Sequence, residues 1–311
     1  MNQPIFKEQG TLDRDLLKHQ LSSLIGEELT SVTATYEPTG YTGNVYFVDT
    51  VSKSGSIYKL VVKRMIDTKE WNLYTDFLKP YNLNSPVHIG KIKLDRHEFL
   101  VMERIDSKLK LLDHKVWLKN ALNWLIRKDT VCSKDIKKVS KIDPIKQNIN
   151  TGEGWWPIIE KCVSSKLHPL IDKSLYKKLL GQKEVLAEYN EALQSGIQTV
   201  VHNDFQKRNT LIDKRGVLFV IDWSNPNIGS ICIDLARLIE ANHENARDIR
   251  KQYARSINVD HFETLLSMAK FRNTFSIFVW MCKAIIDGQR EAVEKEYDIR
   301  RYIEILTMWR K

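Results

Sequence analysis

Cysteine is scarce and scattered in this chain. Its only four are Cys132, Cys162, Cys232 and Cys282, and no two stand as C-x-x-C. That spacing argues against a disulfide framework or a cysteine-built metal cluster and fits reduced thiols. Long apolar runs are also missing. Val217–Ile221 and Ile277–Cys282 are among the longest, far short of the roughly 18 residues that span a bilayer. The opening MNQPIFKEQG has no apolar core of the signal-peptide kind. The chain therefore reads as soluble, cytoplasmic and without a membrane partner. There is no internal repeat, and no G-x-G-x-x-G loop.

What is present is ordinary globular material: 311 residues, 42% hydrophobic and 28% charged. That is enough for one two-lobed unit or two domains with real cores. The net charge is +9, which suits an anionic partner. The lysines are spread along the chain, however, and the densest run, Lys134–Lys146, also carries Asp135 and Asp143. No nucleic-acid-binding motif appears. A phosphorylated cosubstrate accounts for a basic protein as well as nucleic acid does, and nucleic acid is not the expected partner.

Thr11 followed by LDRDLLKHQLSSLIG reads as a capped amphipathic helix ending at Gly26. Glu28–Glu37, Asn44–Val51 and Ser56–Met65 read as an antiparallel meander, with turns at Pro38–Gly43 and Ser52–Gly55. A helix over Thr68–Tyr81 and strands near Val87–Leu94 and Glu98–Ile105 complete a small α+β unit. Beyond Asp106, helical spacing dominates: Val116–Ile126, Ser174–Leu180, Glu184–Gln194, Asp234–Asn242, His261–Cys282 and Gln289–Trp309. Thr210–Asp213 and Val217–Ile221 form a short hairpin around Lys214-Arg215-Gly216. The stretch Asp129–Trp156 is polar and shows no clear pattern.

The chemistry is carried by His202-Asn203-Asp204-Phe205-Gln206-Lys207-Arg208-Asn209, an H-x-D-x-x-x-x-N segment followed by that hairpin and then Asp222. Antiparallel pairing returns the chain to its start, so Asn209 and Asp222 flank the same open end. An amide oxygen and a carboxylate are hard ligands suited to Mg²⁺, which takes its remaining ligands from water and phosphate. Asp204, five residues before Asn209, is placed to accept a hydroxyl proton during phosphoryl transfer.

These segments, with Val220-Ile221-Asp222-Trp223 and Ile233-Asp234-Leu235-Ala236-Arg237, resemble the aminoglycoside phosphotransferase and choline kinase superfamily of small-molecule kinases over about residues 30–240. That family usually has H-G-D where this chain has H-N-D. The resemblance implies an α+β, bilobal, protein-kinase-like fold: a small antiparallel-sheet lobe at 1–104, with leading helix 11–26, and a larger, mainly helical lobe at 105–311. It implies Asp204 as catalytic base, Asn209 and Asp222 as Mg²⁺ ligands, and structural roles for His202 and Asp234. Leu60-Val61-Val62-Lys63 resembles V-A-I-K, so Lys63 would contact the ATP phosphates, with Glu70 pairing to it. Arg64, the register rival, points to the opposite face. Gly40, Thr42 and Gly43 occupy the place of the phosphate-covering loop and would offer backbone N–H groups. Phe99–Ile105 matches the strand entering the hinge, where adenine would meet backbone groups from Glu103 to Ile105 beside Met102.

The expected function is ATP- and Mg-dependent transfer of a phosphoryl group to a hydroxyl of an aminoglycoside-like antibiotic, an amino-alcohol or a sugar. The residues after Arg237 are of mixed charge and do not by themselves demand a polycation. Trp223, Trp280 and Trp309 would suit an aromatic cage for a quaternary ammonium, although tryptophans at helical spacing are commonly core. A protein kinase is disfavoured, because Asp222 is followed by Trp223-Ser224 and no A-P-E is present. An inactive nucleotide-binding module and a nucleic-acid-associated basic protein are the rival readings. The intact Lys63, Asp204, Asn209 and Asp222 weigh against the first.

Overall fold

The computed structural model describes residues 13–37, 45–65, 68–107, 113–142, 154–167, 173–224, 226–289, 291, 293 and 298–309. The chain divides into two compact units. The first comprises Met1–Trp124, Ile142–Pro144 and Lys207–Ser224; the second comprises Leu125–Lys141, Ile145–Gln206 and Asn225–Lys311. The sequence suggested a single cut at 104/105. In this division the chain passes between the units more than once, and the segment that begins at Lys207 returns to the first.

In the first unit, α1 (Arg14–Ile25) precedes β1 (Leu29–Glu37), β2 (Val45–Ser52) and β3 (Ile57–Arg64). The N-cap is Asp13, whose carboxylate accepts the N–H groups of Asp15 and Leu16 at 3.0 Å. Thr11, expected in that role, lies outside the described residues. Gly26, at φ 78°, ends the helix in the left-handed conformation. After β3 come α2 (Lys69–Leu73) and a wider turn in which the Lys79 N–H bonds to the Tyr74 carbonyl at 3.2 Å. β4 (His88–Leu94) and β5 (His97–Glu103) close an all-antiparallel sheet of order β1-β2-β3-β5-β4. One face buries Val48, Leu60, Val62, Phe99 and Val101 with Leu17 and Leu21 of α1. The period-2 alternation of β3 puts Lys63 on the other face and Arg64 on the α1 side.

α3 (His114–Lys134) starts in this unit and continues into the second. The hairpin β7 (Thr210–Ile212) and β8 (Leu218–Val220) is fastened to the first unit by side chains. The Trp117 indole N–H donates to Thr210 Oγ1 at 2.9 Å, and the Ile212 N–H donates to Ser107 Oγ at 3.1 Å. Trp223, fully buried, packs its ring 6.4 Å from Phe77 and 6.0 Å from Trp124.

The second unit is mainly helical: α4 (Ile136–Val139), α5 (Trp155–Cys162), α6 (Lys173–Ser195), α7 (Cys232–Glu240), α8 (Ala246–Ser256), α9 (Phe262–Ile286) and α10 (Ile299–Met308). Its core joins α5, α6, α9 and α10 around Trp156, Phe271, Phe275 and Phe278. A two-stranded ladder, β6 (Gln198–Val201) with β9 (Asn227–Ser230), brackets the H-x-D segment. At Gly229 a Cβ would stand 2.9 Å from a Val201 methyl, so a larger residue there would force that side chain to shift. Among the described residues, no helix is long and apolar enough to cross a membrane.

Candidate active site

In the first unit, Lys63 reaches from β3 to two carboxylates. Its Nζ lies 2.9 Å from Glu70 Oε2 and 2.9 Å from Asp222 Oδ1. Burial alone would push the ammonium's pKa down. The charges of Glu70 and Asp222 outweigh burial and hold the pKa above the ordinary lysine value. Tyr74 is buried beside this trio. Burial first, then the two carboxylates, drives its phenol pKa well above normal. The sequence anticipated the Lys63–Glu70 pair. It did not anticipate the direct Lys63–Asp222 contact, which follows from where the hairpin delivers Asp222.

The register of that delivery is explicit. Thr210 pairs with Val220, and the Ile221 N–H donates to the Asn209 carbonyl at 3.0 Å. Asn209 and Ile221 therefore continue the ladder, and Asp222 follows at φ 61°. The turn is tied by Asp213, whose Oδ1 accepts the Arg215 and Val217 N–H groups at 2.9 Å. Asp222 meets Lys63 at Oδ1, and its side chain is 36% exposed. Its second oxygen and the Asn209 amide are donors of the hard-oxygen type that Mg²⁺ takes. Among the described residues, no three His, Cys, Asp or Glu could hold a metal together. An ion here would draw its other ligands from phosphate and water.

The nucleotide-side expectations fare unevenly. Gly40, Thr42 and Gly43 lie outside the described residues. At the end of β5, the Glu103 N–H is bonded to the Val87 carbonyl at 2.8 Å and the Arg104 N–H to the Lys59 carbonyl at 2.9 Å. Those two donors are occupied by the sheet. Of the three residues, Ile105 is the one whose N–H makes no backbone bond of this kind among the described residues.

In the second unit, the loop after β6 holds Asp204. Val200, Val201 and Phe205 are buried and anchor it at both ends. His202 Nδ1 accepts the Asp204 N–H at 3.3 Å, a bracing role. The Gln206 amide donates to Asp204 Oδ1. Asp234, at the start of α7, accepts the His202 N–H at 2.9 Å and the Asn203 N–H at 3.0 Å. Both His202 and Asp234 thus do the structural work expected of them.

Asn203 explains why this chain has H-N-D. Its φ is 67°, a left-handed conformation that suits Gly and, among the rest, Asn. Asn adds bonds that Gly cannot make. Its Nδ2 donates to Asn227 Oδ1 at 2.9 Å, and its Oδ1 accepts from Arg272 at 3.5 Å. The Arg237 Nε–H donates to its carbonyl at 3.4 Å. Burial, with the Arg237 charge, pulls the Arg272 pKa down to about 10, and its guanidinium lies 5.7 Å over the Trp155 ring. Asn203→Gly should keep the backbone conformation and change unfolding free energy by less than about 1 kcal/mol. Asn203→Ala should cost about 1–3 kcal/mol, since it keeps the strain and loses the bonds. Urea unfolding of both variants checks the order.

Sequence reasoning missed Gln206, Asn227, Arg272, Lys128, Asp129 and Tyr253. For Lys128 a signal existed. Ala121, Leu125, Lys128 and Cys132 follow helical spacing and are all 0% exposed, so a lysine stands in an apolar stripe. Trp223 is core, the commoner role for such a tryptophan and not that of a cage wall. Trp280 and Trp309 pack on the helical core of the second unit.

Residues 151–267 match the sequence model of APH, the phosphotransferase enzyme family. No curated protein matches the chain in sequence. Among solved structures, it is similar to the GDP complex of wild-type aminoglycoside 2'-phosphotransferase-IIIa, at 13% identity and TM-score 0.61, covering 95% of this chain and 98% of that one. It is also similar to choline kinase LicA from Streptococcus pneumoniae, at 15% identity and TM-score 0.56, covering 95% and 99%. A third is spectinomycin phosphotransferase APH(9)-Ia in complex with ADP and spectinomycin, at 15% identity and TM-score 0.62, covering 96% and 99%. The family match and these neighbours fall in the superfamily that the motifs resemble. The fold is the α+β, protein-kinase-like one, with an antiparallel-sheet unit and a mainly helical unit.

Proposed function

We propose that this protein is a small-molecule kinase that transfers the γ-phosphoryl group of ATP to a hydroxyl. The observation that carries the reading is Lys63 held between Glu70 and Asp222, with Asn209 in ladder register beside Asp222. A lysine fixed by a glutamate on the following helix is a preformed cation for the α- and β-phosphates. Mg²⁺ held by Asn209 and Asp222 would offset charge on the β- and γ-phosphates. Asp204 orients the acceptor hydroxyl and takes its proton as the new P–O bond forms. Positioning and charge neutralisation supply most of the rate.

The neighbours are named for an aminoglycoside, choline and spectinomycin, so the acceptor panel begins with those compounds, ethanolamine, other amino-alcohols and sugars. Two guanidiniums converge on Asn203, next to Asp204, so hydroxy acids belong in it as well. The test is ATP consumption with and without Mg²⁺ across that panel, alongside nucleotide binding by calorimetry. Mg-dependent consumption with one acceptor class is the expected result. Absence of nucleotide binding would remove the reading. Tight MgATP binding with no turnover on any acceptor would support the inactive-module alternative.

A further inference from the structure

Behind the Asp204 loop, in the second unit, lies a set of charges that phosphoryl transfer as described does not use. Lys128 and Asp129 of α3 are both 0% exposed. Lys128 Nζ donates to the Val200 carbonyl at 2.6 Å and to Asp234 Oδ2 at 2.9 Å. It also lies 3.0 Å from Asp129 Oδ1, an ion pair without hydrogen-bond alignment. The Tyr253 hydroxyl, from α8, donates to Asp129 Oδ2 at 2.6 Å. The chain of contacts runs from Tyr253 through Asp129 and Lys128 to Asp234, and from Asp234 to the His202 and Asn203 amides.

A fully buried ion cluster is a poor way to gain stability, since apolar residues of similar volume usually serve as well or better. What it does supply is a unique geometry, because each charge tolerates few positions once solvent is gone. Burial pushes the Lys128 ammonium down and the Asp129 carboxyl up. For Lys128, the charges of Asp129 and Asp234 win, and its pKa ends above the ordinary lysine value. Lys128 therefore stays charged, tied at once to the strand that precedes the loop and to the carboxylate that holds the loop.

We propose that Lys128, Asp129 and Tyr253 are positioning residues that lock the Asp234 carboxylate and, through its two amide bonds, fix the loop that carries Asp204. Only the kinetic consequence rests on the phosphotransferase reading. Loss of one link should loosen the loop and leave the helical core intact.

The test uses the full chain as Tyr253→Phe, with the charge-balanced double variant Lys128→Met/Asp129→Asn in case one change is absorbed. Amide hydrogen exchange without ligand is followed at His202, Asn203 and along α9. Tyr253→Phe should speed exchange at His202 and Asn203 by roughly fivefold to tenfold, with α9 unchanged. Under the same conditions kcat should fall by a similar factor at unchanged KM for ATP. Wild-type exchange at the two amides in both variants overturns the proposal, as does equal acceleration along α9. A loosened loop with unaltered kcat also overturns it. If the wild type does not turn over MgATP at all, the phosphotransferase reading falls, and the exchange measurement still decides the positioning role.

Discussion

Replacing Lys63 with methionine should cost about 3–5 kcal/mol of unfolding free energy and raise KM for ATP. The Lys63 and Glu70 side chains are only 13% and 11% exposed. Removing the cation leaves a carboxylate desolvated and without its counter-charge, which is the expensive way to break a buried pair. A surface pair is the control. Lys53 and Glu28 are 2.8 Å apart but 72% and 69% exposed, so solvent screens the pair and Lys53→Met should leave stability essentially unchanged. A double variant, Lys63→Met/Glu70→Gln, should recover much of the loss without recovering nucleotide affinity. The pH dependence follows from the raised Lys63 pKa. A base stabilised in the folded state contributes fully below its unfolded pKa, and that contribution fades as pH rises through the folded value. The gap between wild type and Lys63→Met should therefore hold across neutral pH and close only above the ordinary lysine range. A gap that closes between pH 6 and 8 would show that the Lys63 ammonium is not what stabilises the trio.

How much of this was readable beforehand depended on whether a local pattern agreed with its surroundings. The sheet strands alternate apolar and polar residues between turn residues, and each expected strand of the first unit is present within one or two residues of its expected bounds. Lys63 and Glu70 were legible because a strand–helix step places them together. Patterns that conflict with propensity misled. Ser174–Leu180 and Glu184–Gln194 read as two helices split at Gly181-Gln182-Lys183, whereas α6 runs unbroken from Lys173 to Ser195. One glycine costs a helix only about 1 kcal/mol, and Leu179, Val185, Leu186 and Tyr189, buried on either side, outweigh it. The polar look of Asp129–Trp156 hid the end of α3, because Lys128 and Asp129 signal solvent in sequence and are core in structure. The short strands β6 and β9 were missed for a different reason. Four residues carry too little periodicity, and the pairing of Gln198–Val201 with Asn227–Ser230 spans the whole stretch from His202 to Asp222.

Asp204→Ala should lower kcat by about 10²–10⁴-fold, the range for loss of a positioned base, with MgATP affinity and Tm little changed. The proposed base is separable from its supports. Asp234 holds the backbone at His202 and Asn203, His202 accepts the Asp204 N–H, and Phe205 anchors the loop in the core. None of these needs the Asp204 carboxylate, so the loop should survive its removal. Asp204→Asn sharpens the test. It keeps the size of the side chain and can still accept the bond from the Gln206 amide through its own oxygen. It cannot take a proton. If the carboxylate acts as base, Asn should be nearly as inactive as Ala. If Asp204 only positions the acceptor by hydrogen bonding, Asn should retain most of the rate. The phosphate side should respond in the opposite sense. Asp222→Asn should weaken Mg-dependent nucleotide binding, since Asp222 supplies the only carboxylate of the proposed ion site. Equal defects from Asp204→Ala in nucleotide binding and in turnover would contradict the division of roles, because a base that acts on the acceptor has no reason to hold ATP.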